Sequence, residues 1–173
     1  MSEEEIARVM DGMPYGLYII GSALEGDVNG MMADWLMQVS FHPRLVALAL
    51  EKNARTLRNI RATRAFTVNA LSQDRDSMEL AAKFAQPYYG AKIKGRTRTA
   101  AEEIHHKLQG IDHSATAGGR PVLDSAMAWL ECEVEDFVET GDHTLVIGRV
   151  TDGRVLRDAE PLTSSYTGWN YSG

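Results

Sequence analysis

Cysteine is almost absent: Cys132 is the single one in a chain of 173 residues. No disulfide framework can form within one chain, and this usage points to a reducing cytosol. No apolar run approaches the roughly 18–20 residues that a membrane-spanning helix requires. A basic leader is missing too, since Met1-Ser2-Glu3-Glu4-Glu5 is acidic where a secretion signal carries positive charge. Positive charge is in deficit overall, with 18 Lys and Arg against 24 Asp and Glu and a formal net charge of -6. Nucleic acid and anionic membrane surfaces need clustered Lys and Arg, so neither is expected as a partner. The expectation is a soluble, cytoplasmic protein read as one domain over residues 1–173, because a domain occupies roughly 100–200 residues. Such a chain buries on the order of 70% of its unfolded surface and needs no staple.

Several catalytic patterns are missing as well. No G-x-G-x-x-G follows a strand, so a Rossmann dinucleotide site is unsupported. Gly90-Ala91-Lys92-Ile93-Lys94-Gly95-Arg96-Thr97 approaches a phosphate-binding P-loop, but Arg96 replaces the lysine and no apolar strand precedes it. His105-His106, His113 and Cys132 lack metal-ligand spacing, so no metal is expected. A nucleophile elbow is absent. If the chain is an enzyme, its hard chemistry belongs to a cofactor.

What is present reads mainly as strands with flanking helices. Ile6, Val9 and Met10 follow three glutamates at helical spacing. Residues 15–23 read as a strand, 28–40 as strand or loop, and 45–50 (Leu-Val-Ala-Leu-Ala-Leu) as a strand buried on both faces. Residues 53–64 read as a helix, 65–71 as a strand, and 72–85 as a helix facing inward through Met78, Ala81, Ala82 and Ala85. Residues 86–99, with Tyr88, Tyr89, Lys92, Lys94, Arg96 and Arg98, read as a basic loop, and Thr99 and Glu102 have capping-box spacing for a further helix. From Trp129 to Glu139 the chain alternates, with Leu130, Cys132 and Val134 opposite Glu131, Glu133 and Glu135. A turn at Gly141-Asp142 joins this strand to a second at 143–150, a hairpin. About six strands with few long helices point to a small barrel.

Three segments carry chemistry. In Asn29-Gly30-Met31-Met32-Ala33-Asp34-Trp35-Leu36-Met37-Gln38-Val39-Ser40-Phe41-His42-Pro43, Met31, Met32, Trp35 and Met37 are soft and aromatic groups suited to a flat ring, or ordinary core. Glu51-Lys52-Asn53-Ala54-Arg55-Thr56 opens a helix, where backbone N–H groups and nearby cations hold phosphate, or it is a plain strand-to-helix turn. In Gly141-Asp142-His143, the histidine opening a strand faces a cleft or simply bonds its neighbouring carboxylate.

Taken in order, these segments resemble the flavin reductase family with the FMN-binding split-barrel fold. Thr56 with Ile60, Phe66-Thr67-Val68-Asn69 and Gly148-Arg149-Val150 add to the likeness, which runs from about Met13 to the C-terminus. Trp35 and the tail Tyr166-Thr167-Gly168-Trp169-Asn170-Tyr171 resemble the reductase module of flavodiiron proteins. The resemblance implies a homodimeric split β-barrel that binds FMN, FAD less readily, and takes a hydride from NADH or NADPH. By position it implies that Asn29, Gly30, Met31, Met32, Ala33, Asp34 and Trp35 line the flavin ring. Ser40 then lies near the ribityl chain or phosphate, and Lys52, Asn53, Ala54 and Thr56 cradle the phosphate. His143 is the candidate catalytic residue, beside the nicotinamide and flavin rings. Two departures stand out: many members carry small hydroxyl residues at Met32 and Asp34, and Pro-Pro at His42-Pro43. The implied acceptors are monooxygenase components, rubredoxin-like proteins or flavodiiron proteins. Two other classes remain open: an FMN-binding electron-transfer or sensor module that never meets nicotinamide, and a cofactor-free barrel.

Overall fold

Side-chain caps set the starts of the helices Glu3–Asp11 and Arg75–Phe84 among the described residues. The computed structural model describes residues 2–87 and 106–171; the P-loop-like stretch, the basic loop's charged residues and the Thr99–Glu102 pair lie outside them. Helix α1 (Glu3–Asp11) opens with a capping box between Ser2 and Glu5, and three glutamates sit at its positive end. Strands β1 (Tyr18–Leu24) and β2 (Asp27–Ala33) form an antiparallel hairpin, in which Gly26 at φ 82° supplies a turn that side chains avoid.

Residues 28–40 are not one strand. β2 ends at Ala33, Asp34 and Trp35 form a break, and β3 (Leu36–Ser40) pairs with β4 (Leu45–Glu51) instead of β1. Helix α2 (Arg55–Thr63) and β5 (Ala65–Ala70) follow, then α3 (Arg75–Phe84), whose N-cap Asp74 accepts the Ser77 N–H at 2.7 Å. Short strands β6 (His113–Ala115) and β7 (Pro121–Leu123) pair with each other, and β8 (Ala128–Glu139) and β9 (His143–Val155) form the expected hairpin before α4 (Ser164–Thr167). Nine strands therefore replace the expected six among the described residues. The excess comes from the break at Asp34-Trp35 and from two strands of 3 residues, too short to show a period.

Seven strands make one antiparallel sheet in the order β2-β1-β5-β8-β9-β4-β3. It wraps around a core without closing, and its two edge strands, β2 and β3, are consecutive in the chain. The two residues between them therefore bridge the split. The strand alternation explains why there are two cores: Ile20 points into the barrel with Leu48, Leu50, Leu57, Ile60, Phe66 and Val146. Its neighbour Ile19 points outward, into a second cluster with Leu71, Ala81, Phe84, Leu123 and Leu162. Gly30 lacks the Cβ that would collide with Phe84, so α3 lies close on β2.

One expected face shifts and another holds only in part. On α3 the buried side is Ser77, Ala81 and Phe84, while Ala82 and Ala85 are exposed, because the packing ring is Phe84. On β8, Leu130, Cys132 and Val134 face the barrel core as expected, and the register shift between Val134 and Asp136 rephases the strand beyond them and brings Phe137 to the core. On the opposite face Glu131 accepts from Arg120 Nε at 3.1 Å, and Glu133 and Glu135 pair with Arg149 at 3.1 and 2.9 Å. Among the described residues no helix is long and apolar enough to cross a membrane.

Candidate functional site

The break between the edge strands is short and firmly held. Leu36 N–H donates to Asp34 O at 2.9 Å, and Ala49 N–H of β4 donates to Trp35 O at 2.9 Å. This fixes the Trp35 indole at the split, beside the first residue of β9. The ring centroids of Trp35 and His143 are 4.8 Å apart at an interplanar angle of 38°. Register places His143 opposite Glu51, and Lys52 N–H donates to Asp142 O at 3.1 Å, so the 51–56 turn and the β8–β9 turn meet at the same end of the barrel.

His143 is 8% exposed, and its Nδ1 lies 2.6 Å from Asp142 Oδ1. The bond from the imidazole holds the Asp142 carboxyl below its usual range, helped by its own backbone N–H and by the imidazole charge. An ionised carboxylate can only accept, so Nδ1 carries the proton, and Nε2 is an acceptor whenever it is itself unprotonated. Asp34 is 7% exposed, and burial pushes its carboxyl above the usual range against the pull of two backbone N–H bonds and of the His143 charge. Trp35 Nε1 is buried with no hydrogen-bond partner among the described residues. A buried, unpaired indole N–H is costly, on the order of 1–3 kcal/mol, and marks a place where a ligand acceptor fits.

On the same end of the barrel, α2 begins at Ala54, which offers no capping side chain to the first N–H groups of the helix. Its hydroxyl-bearing first turn is fixed from β2, because Asn29 Nδ2 donates to Thr56 Oγ1 at 2.9 Å. Lys52 and Asn53 are exposed at the turn. Lys52 Nζ donates to Thr140 O at 2.8 Å and lies 3.5 Å from Glu139, while Arg55 pairs with Asp27. An uncapped helix start next to a lysine suits an anion such as phosphate.

The structure thus brings Asn29, Asp34, Trp35, Lys52, Asn53, Ala54, Thr56 and His143 to one region. Ser40 lies at the far end of β3, opposite Leu45, with four residues between it and Trp35. Successive residues of β2 face opposite ways: Met31 and Ala33 pack on the barrel core, whereas Gly30 and Met32 face the α3 cluster. Met37 is 64% exposed. The packing alternative therefore accounts for the side chains of Met31 and Met32.

Three side chains at the site had no separate signal in the sequence. Tyr15 lies 6.4 Å from Trp35 by ring centroids, held by its N–H donating to Ser164 Oγ at 2.9 Å and its carbonyl accepting from Ser164 N–H at 2.8 Å. Tyr171 sets its ring edge-on to Trp35 at 5.6 Å and to His143 at 6.3 Å, and its phenol donates to Glu51. Contacts across 120 residues are invisible to local patterning. A flat heteroaromatic group beside Trp35 and His143, with an anionic tail toward the start of α2, matches these donors and surfaces.

Comparison with known proteins bears on the family and the fold. Residues 10–170 match the flavin reductase like domain. The chain is 32% identical over 161 residues to a high molecular weight rubredoxin of Moorella thermoacetica, covering 92% of this chain and 64% of that protein. It is 31% identical to a ferric-chelate reductase (NAD(P)H) of Archaeoglobus fulgidus, covering 86% of this chain and 80% of that one. A diflavin flavoprotein A 1 of Synechocystis is 31% identical, and there the chain spans 26% of the protein's length. Among solved structures, the flavin reductase PheA2 superposes with TM-score 0.72 at 32% identity, covering 94% of this chain and 93% of that chain. Nitrilotriacetate monooxygenase component B of Mycobacterium thermoresistibile superposes with TM-score 0.76 at 26% identity, covering 93% and 81%. The chain belongs to the flavin reductase-like family.

Proposed function

We propose that the protein is an NAD(P)H-dependent flavin oxidoreductase that uses FMN. The supporting observation is the juxtaposition, at the split of the sheet, of the Trp35–His143 ring pair and the uncapped start of α2. The chemistry that bound FMN would supply here is hydride acceptance from a nicotinamide and delivery of the electrons to a flavin or protein acceptor. Trp35 forms one wall for the ring system, and its Nε1–H supplies a donor to a ring acceptor. The 29–35 segment contributes backbone groups more than side chains, as Met31 and Met32 are used in packing. The first N–H groups of α2, with Lys52, Asn53, Ala54 and Thr56, hold the phosphate, and Ser40 stays at the far end of β3 from Trp35. FMN is preferred to FAD because this anion site is a single turn.

His143 orients the nicotinamide. Its Nε2 accepts from the carboxamide N–H while Asp142 fixes the ring tautomer, and hydride transfer itself needs no acid or base. Burial pushes the Asp34 carboxyl above its usual range, and in its ionised form it adds a buried negative charge that opposes electron gain nearby. The working form is a homodimer, and the acceptor is a monooxygenase component, a rubredoxin-like protein or a flavodiiron protein. The relatives' names include a rubredoxin and a stachydrine N-demethylase reductase subunit, which supports a protein acceptor. Steady-state oxidation of NADH and of NADPH with FMN and with FAD tests this reading: turnover that depends on added or retained flavin is expected. Flavin retention without turnover by either nucleotide would favour the electron-transfer module instead.

A further inference from the structure

The C-terminal tail lies across the face of the site that a substrate has to reach. After α4, Gly168 N–H closes on Ser164 O at 2.8 Å, and Trp169 packs against the α3 cluster. Past Trp169 the tail is tied down by a side chain, through the bond from the Tyr171 phenol to Glu51. The Tyr171 ring meets Trp35 at 62° and His143 at 76°, edge-on to both, and is itself 46% exposed. An edge-on ring covers the two aromatic groups without the full overlap of a stacked one. The covered state is thus held by one exposed hydrogen bond and by edge-on contacts alone, features of an arrangement that a better-matched ring displaces.

We propose that Tyr171 is a displaceable aromatic cover of the Trp35–His143 pair, tied by Glu51, which gives way when the planar ring of a nicotinamide dinucleotide takes its place. The proposal rests on the reductase reading above. Glu51 is well placed to act as the tie: it ends β4 directly opposite His143, one residue before the turn that leads into α2. A dinucleotide arriving at the site therefore meets the tie and the anion-binding turn within a few residues of chain, with the cover bonded to the tie. The cover keeps water from the ring pair while no substrate is bound, and its opening is a cost that substrate binding must overcome.

The test is calorimetric titration of the FMN-loaded protein with oxidised nicotinamide dinucleotides, with the His143 ring resonances followed by NMR. In the unsubstituted protein, saturating dinucleotide is expected to shift those resonances in the direction that Tyr171→Ala shifts them without ligand. Binding to Tyr171→Ala is expected to be about three- to ten-fold tighter, since removing a closed state raises the competent fraction. Glu51→Gln, which keeps the ring and loosens the tie, is expected to move affinity the same way by less. Unchanged or weaker dinucleotide binding in both variants overturns the cover and leaves the reductase reading intact. No dinucleotide binding by any of the three proteins overturns both.

Discussion

His143 owes its orientation to the residue before it, because the Asp142 carboxylate 2.6 Å away fixes the ring proton on Nδ1. His143→Ala is expected to slow flavin reduction by NAD(P)H by about 10- to 100-fold, a loss of positioning, with little change in FMN affinity. Stopped-flow reduction alongside an FMN titration checks it, and equal losses in both would make the residue structural. Asp34 supplies a second prediction, through pH. Burial raises its pKa in the folded state above the unfolded value, so ionised Asp34 destabilises the fold above that pKa and has no effect below both. Asp34→Asn is therefore expected to melt at a higher temperature than the parent at pH 7. The advantage should shrink as pH falls through the raised pKa toward the ordinary carboxylate range, and thermal melts across pH read it. At this scale the sequence was legible where a motif is compact: the Asp142–His143 bond and the Lys52–Thr56 turn could be read from adjacent residues. Glu51, Tyr15 and Tyr171 could not, since their partners lie far along the chain and their residue types are common on surfaces.

The elements were legible in proportion to how well a period matched one environment. The 45–50 run and the 143–150 strand appear as strands, and both carry side chains into the barrel. β8 shows where simple alternation stops: it holds through Leu130, Cys132 and Val134, and the register shift between Val134 and Asp136 then moves Phe137 to the barrel core. Residues 28–40 resisted assignment because a single stretch serves both edges of the sheet and changes partner at Asp34-Trp35. Gly148 belongs to this scale. A Cβ there would come within 2.7 Å of Phe66 Cζ and 3.2 Å of Cys132 Cβ, so β9 approaches the barrel core only with glycine at that position. Gly148→Ala is expected to destabilise the protein by about 1–3 kcal/mol, the usual cost of overpacking a core. Urea denaturation would measure it, and an unchanged midpoint would mean that Phe66 has room to move.

For the whole molecule, the open sheet sets the geography: one chain passing between the two edges delivers Asp34 and Trp35 to the split, where the β8–β9 turn and the start of α2 also converge. The same openness leaves edge strand β3 and the turn after it with exposed apolar side chains, Met37 at 64%, Val39 at 43% and Phe41 at 77%. Such an edge is a pairing surface unless another copy covers it. The dimer is expected to use this edge, so Phe41→Glu should shift sedimentation toward the monomer; a monomeric parent would contradict the dimer itself. The central claim is that the site joins a nicotinamide to a flavin. Its most direct measurement is anaerobic mixing of the FMN-loaded protein with NADH or NADPH while the flavin spectrum is recorded. The account predicts that at least one nucleotide bleaches the yellow oxidised flavin, and that His143→Ala slows the bleaching without releasing FMN. Flavin that stays oxidised with both nucleotides, or protein that cannot retain FMN at all, would contradict it.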